Sequence, residues 1–78
     1  MNWRDHIHSD PGILGGKPVV RGTRISVELI LEYLEDGAGI PEILEAYSHI
    51  TEADVRAAVA FARDLLHAEA SAAQRRAA

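Results

Sequence analysis

This 78-residue chain has no cysteine, which removes disulfides, thiolate–zinc sites and thiol nucleophiles at once. The same absence fits a cytoplasmic protein. No apolar h-region follows Met1-Asn2-Trp3-Arg4-Asp5-His6, so no signal peptide is expected. The longest uncharged run falls far short of the roughly 20 apolar residues that cross a membrane as a helix. Large apolar residues stop at Leu66, and the remaining residues are rich in alanine. A chain this short builds one modest core, and without disulfides a common remedy is dimerisation.

Catalytic patterns are missing as well. Gly16-Lys17 begins to look like a phosphate-binding loop. That motif needs a glycine five places earlier, where Pro11 stands, and Ser or Thr after the lysine, where Pro18 stands. No serine occupies a nucleophile elbow. His6-Ile7-His8 would set two imidazoles on one face of a strand, with His49 a distant third, but a metal wants a third ligand at a defined spacing and none is evident. Glu28, Glu32 and Glu35 read as a solvated helix face rather than an acid–base pair. Neither an enzyme nor a cofactor is expected.

The residues that are present are unevenly distributed. The net charge of −4 divides into +2 over residues 1–27, −8 over residues 28–69 and +2 over the remainder, where Arg75 and Arg76 lie. A phosphate-bearing partner would therefore meet the amino-terminal segment or the tail and be repelled by the body between them. The amino-terminal segment concentrates the unusual residues. Gly15-Gly16-Lys17-Pro18-Val19-Val20-Arg21-Gly22-Thr23-Arg24-Ile25-Ser26-Val27 holds three of the six glycines and three of the eight basic residues. Its glycines permit tight turns, Val19-Val20 suits a short strand, and Ser26 is a good N-cap for a helix starting at Val27.

Periodicity places three helices after a brief β region. Ile7, Ile13-Leu14 and Val19-Val20 are short apolar pieces separated by Asp10-Pro11-Gly12 and Gly15-Gly16, which predicts a hairpin or a pair of brief strands. Val27, Ile30, Leu31 and Leu34 give a first helix to about Asp36, ended by Gly37. A second covers about Ile40 to Tyr47, with Pro41 in its first turn and Ile43, Leu44 and Tyr47 inward. Thr51-Glu52-Ala53-Asp54 has capping-box spacing, and Val55, Ala58, Val59, Ala62, Leu65 and Leu66 form the predicted buried stripe of a third. Phe61 falls beside that stripe, placed to touch another chain. The domain is expected over residues 1–67, with residues 68–78 a frayed or disordered Ala-rich tail. The fold class is mainly α: a three-helix, helix-turn-helix-like domain with a short amino-terminal β-hairpin or strand.

The strings Asp10-Pro11-Gly12-Ile13 and Gly16-Lys17-Pro18-Val19-Val20-Arg21-Gly22-Thr23-Arg24-Ile25-Ser26-Val27 closely resemble the domain of unknown function number 433 family. So do Gly37, Ile43-Leu44-Glu45-Ala46-Tyr47 and Ile50-Thr51-Glu52-Ala53-Asp54-Val55. The resemblance covers roughly Trp3 to His67. It departs at Gly39, where a serine often caps the second helix, and at Ser48, where a proline often follows the tyrosine. It implies a helix-turn-helix-like fold. It also implies an antitoxin, similar to the VapB type, that inhibits a PIN-like ribonuclease toxin and represses its own operon.

Two alternatives stay open beside the antitoxin: a stand-alone DNA-binding regulator, and a protein-interaction module that binds no nucleic acid. In a helix-turn-helix the first turn of the third helix would approach base edges, and here that turn carries Glu52 and Asp54 with only Arg56 after them. Lys17, Arg21 and Arg24 are the better candidates for phosphate contact, with Thr23 donating a hydrogen bond. For a protein partner the candidates are Phe61 and the tail's Arg75 and Arg76, whose guanidinium groups suit the carboxylates of a metal nuclease site. A homodimer is expected, paired through strands near Val19-Val20.

Overall fold

The computed structural model describes residues 1–77. Two short strands, β1 (Ile7–His8) and β2 (Val19–Val20), precede three helices, α1 (Val27–Glu35), α2 (Ile40–Ala46) and α3 (Glu52–Ala77). Single 3-10 turns stand at Trp3–Asp5 and Leu14–Gly16. The strands are antiparallel, Ile7 opposite Val20 and His8 opposite Val19. The predicted apolar piece at Ile13-Leu14 is therefore a turn and not a strand. It carries three successive positive φ angles, at Leu14, Gly15 and Gly16, which reverse the chain between β1 and β2.

Each helix begins and ends where local chemistry directs. The Ser26 hydroxyl accepts from the Leu29 N–H at 3.0 Å and caps α1. Gly37, at φ 93°, lets its own N–H reach Leu34 C=O while the Ala38 N–H reaches Tyr33 C=O, a Schellman closure. Gly39 has no side chain to cap α2. The Glu42 carboxylate instead accepts from the Gly39 N–H at 3.2 Å, supplying half of a capping box. The box predicted at α3 is complete: the Asp54 N–H donates to the Thr51 hydroxyl, and the Thr51 N–H to the Asp54 carboxylate at 2.9 Å. Asp is long enough here to do what Glu usually does.

The core lies where β1, β2 and α1 to α3 converge. Ile7, Val20, Val27, Ile30, Ile43 and Val55 are buried in it with Ala57 and Ala58. Two corrections concern α3. Of the predicted stripe, Val55 and Ala58 are buried, but Val59, Leu65 and Leu66 are 45%, 55% and 70% exposed, and Ala57 is buried in their stead. The amino-terminal turn packs along one side of α3 and rotates its inward face toward Ala57 and Phe61. The second correction is the tail, which continues as helix to Ala77 instead of fraying from residue 68. From Arg63 to Ala70 every residue is exposed. The resulting arm gives the molecule a long axis of 47 Å and a radius of gyration of 13.8 Å. A compact chain of this length would have about 11.5 Å.

The strand-mediated pairing expected near Val19-Val20 has no open edge to use. β1 covers one side of β2, and on the other a bridge joins Val19 to Ser26. The Val20 N–H donates to Ile25 C=O, and Pro18 C=O accepts from the Val27 N–H. Among the described residues no helix is long and apolar enough to cross a membrane.

Candidate partner-binding surface

Three side-chain contacts fasten the first turn and its exit onto α3. The Trp3 indole N–H donates to the Asp64 carboxylate at 2.6 Å. The Trp3 ring meets Phe61 edge-to-face, with centroids 4.9 Å apart. His6 Nδ1 donates to Asp54 Oδ1 at 2.9 Å. Burial pushes the Asp54 carboxyl upward, but the hydrogen bonds from His6 and from the Thr51 backbone and hydroxyl outweigh it and hold the group below its ordinary range. Asp54 thus serves two purposes, closing the capping box and seating the amino-terminal turn. Sequence reasoning misses Trp3, Asp54 and His6 in these roles, because the paired residues lie 61 and 48 positions apart.

The residues predicted to touch DNA separate into committed and free. Arg21 donates from Nε and Nη2 to the backbone C=O of Arg4, at 3.1 and 3.0 Å, tying the turn after β2 to the first turn. Arg4 itself lies over the Trp3 ring, 4.4 Å from its centroid. The Thr23 hydroxyl donates to Val20 C=O at 2.8 Å and accepts from the Ile25 N–H. Its single proton is spent inside the turn, so donation to a phosphate would break that turn. Lys17 lies 3.7 Å from Glu28 in an exposed ion pair, which contributes little. Arg56 is neutralised by Glu52 one turn back, at 2.8 Å. Among the described residues, Arg24 is exposed and has no ion pair.

No group of three His, Cys, Asp or Glu side chains is placed to hold a metal among the described residues. His6 does not share a strand face with His8; it precedes β1 and turns to Asp54. His8 Nε2 is buried without a hydrogen-bond partner among the described residues.

Of the three partner-binding candidates, Phe61 has a definite setting. Half-buried against Trp3, it lines a groove of about 340 Å³ with Pro18, Val27, Leu31, Leu65 and Leu66, and Glu28 stands on the rim. A second groove lies on the other flank of α3, between Leu34, Ile40, Val59 and Arg63. Arg75 and Arg76 are exposed in the last turns of the arm, far from Phe61 along α3. Glu28, Glu32 and Glu35 line one outer face of α1 with Leu31 among them. The arrangement offers apolar relief edged by carboxylates, which suits a protein surface better than a polyphosphate.

The comparisons agree with one another. The Uncharacterized protein y4eO of Sinorhizobium fredii (strain NBRC 101917 / NGR234) is 37% identical over 59 residues. That match takes in 76% of this chain, which spans about a quarter (27%) of that relative's length. The crystal structure of a DUF433 member protein from Anabaena variabilis ATCC 29413 superposes with a TM-score of 0.74 at 33% identity. The superposition covers 78% of this chain and 60% of that one. With residues 7–62 matching the family described as "Protein of unknown function (DUF433)", and with that fold shared, this chain belongs to the DUF433 family.

Proposed function

We propose that this chain is an antitoxin-type protein-binding module that holds a PIN-like ribonuclease toxin in an inactive complex. One observation carries the reading. The first turn of α3, which a helix-turn-helix would present to base edges, carries Glu52 and Asp54, and His6 is packed onto it. Phosphates are repelled there, and Asp54 is already engaged by His6 of the chain's own amino-terminal segment. The Phe61 groove supports a protein partner instead, because its apolar floor is flanked by the α1 carboxylates that would steer a basic surface into place.

Co-expression with the product of the adjacent reading frame tests this. The two proteins are expected to co-purify, and the neighbour's RNA cleavage to fall when this chain is present. Phe61→Ala should weaken the complex by about tenfold or more if the ring sits at the contact. Absence of any complex, together with no relief of toxicity, would overturn the reading. Retardation of the upstream DNA at low salt, lost on replacing Arg21 and Arg24 with Ala, would put the DNA-binding regulator in its place.

A further inference from the structure

Between residues 28 and 69 the chain has ten acids and two basic residues, Arg56 and Arg63. Both of those cations line one groove, the one of about 450 Å³ on the flank of α3 away from Phe61, with Leu34, Ile40, Val59 and Ala60. No carboxylate lines it, whereas Glu28 stands on the Phe61 groove and Glu28, Glu32 and Glu35 line the outer face of α1. At about 100° per residue, Val59, Arg63, Arg56 and Ala60 fall within an arc of about 100° on α3. The arginines are seven residues apart, two turns and about 10 Å along the axis, with Val59 and Ala60 between them. Val59, which the apolar pattern assigns to the core, is 45% exposed on this floor. Arg63 is exposed and has no ion pair among the described residues. Arg56 meets Glu52 at 2.8 Å in an exposed pair, which contributes little and can yield to a competing carboxylate.

Charge and spacing together describe the occupant. A nucleic acid carries phosphate at every step, and two cations parted by apolar surface on a body of net charge −8 give it little to hold. A helix with carboxylates seven residues apart repeats the interval from Arg56 to Arg63. Apolar residues three and four places after its first carboxylate then lie on the same face, over Val59 and Ala60. An extended strand fits the interval poorly, because its same-face residues come at about 6.6 or 13 Å. Guanidinium groups also bind carboxylates through paired, directional hydrogen bonds, which fixes the register of such a helix. We propose that this groove receives an acidic amphipathic helix of a protein partner, with its apolar face on Leu34, Ile40, Val59 and Ala60 and its carboxylates on Arg56 and Arg63. The groove shares no lining residue with the one at Phe61, so the assignment does not depend on the antitoxin reading. The molecule then has two docking faces of opposite sign, one rimmed by glutamates and one by arginines.

Fluorescence anisotropy of the intact chain with a labelled amphipathic peptide tests this. The peptide bears Glu at two positions seven residues apart, with Leu three and four places after the first. It should bind saturably, and both its scrambled isomer and its Lys-for-Glu counterpart should bind at least about tenfold more weakly. Arg63→Glu should lose about tenfold in affinity and regain it for a peptide whose facing Glu is changed to Lys. Val59→Asp should abolish binding with unchanged far-ultraviolet circular dichroism, because the side chain it replaces is nearly half exposed. Equal affinity for the scrambled isomer, or indifference to Arg63→Glu, would overturn the proposal. A short DNA duplex that displaces the peptide at lower concentration than unlabelled peptide does would overturn it in favour of nucleic acid. An unmodified chain that sediments as a dimer, and that Arg63→Glu dissociates, would instead seat a second copy in the groove. Phe61→Ala should leave the peptide's affinity unchanged, so failure here and failure of the functional reading are told apart.

Discussion

The two halves of α3 are both rich in alanine and stand in opposite circumstances. From Glu52 to Ala62 the helix is held by His6 at Asp54, by Trp3 at Phe61 and by α1, with Val55 and Ala58 buried. From Arg63 to Arg76 it is almost wholly exposed, with Trp3 at Asp64 and the groove contacts of Leu65 and Leu66 its last ties to the body. Alanine fills both halves. In the first it is chosen for size, since Ala57 and Ala58 let neighbouring backbone approach. In the second it contributes helix propensity and little else. One residue type thus means core in one place and bare scaffold in another, and only the tertiary partner tells them apart.

The largest effect expected is at the inner half. Ala58→Asp buries an unpaired carboxylate and should cost at least about 3 kcal/mol, enough to unfold much of the population. Ala68→Asp makes the same change on the arm and should cost under about 1 kcal/mol. Urea titrations of the two variants measure the contrast directly, and equal losses would dissolve it. Trp3→Ala comes next, at about 2–3 kcal/mol, because it removes both the edge-to-face contact with Phe61 and the hydrogen bond to Asp64. Its loss should show as a lower unfolding midpoint with helix content retained below the transition.

Asp54→Asn should cost about 1–2 kcal/mol at neutral pH, and its effect depends on pH in a defined direction. The Asp54 carboxyl is held below the 3.8 it has when unperturbed, so its contribution is fully present above that value. It is lost as pH falls through the lower folded-state value. The stability gap between the natural chain and the variant should therefore be constant at higher pH and narrow only below about 3.8 in a pH series of thermal melts. The smallest effect is at β1. His8→Leu removes a buried nitrogen that lacks a partner and should be neutral or stabilising by up to about 1 kcal/mol, read from the same denaturant midpoint.

How much of this is legible in the amino-acid order depends on the reach of the interaction. Ser26, Gly37, Pro41 and the Thr51–Asp54 box act within four residues, and the predicted helix starts agree with α1, α2 and α3 to within a residue. The pairing of β1 with β2 is likewise readable from its turns. The rotation of α3 is not, because Val55, Ala58, Val59 and Ala62 fit an inward stripe as well as Val55, Ala57, Ala58 and Phe61 do. The deciding weight comes from Trp3 and His6, whose contacts cross most of the chain. Arg21 is a similar case. Its sequence context suggests a phosphate ligand, while the folded chain turns its guanidinium onto the Arg4 carbonyl. A local pattern has no means of distinguishing a cation that serves a neighbour from one that awaits a partner.

The bond from Trp3 to Asp64 spans 61 positions. A contact so distant closes a loop containing almost every other element, and the entropy of that closure is recovered only once the intervening helices have shortened the path. Docking of the first turn therefore requires α3 to be formed and in place, and on the ribosome it must wait until that helix has emerged. Until then Phe61 lacks its indole neighbour and Asp54 lacks its imidazole. Before that contact forms, the Phe61 groove lacks the Trp3 ring that packs beside it.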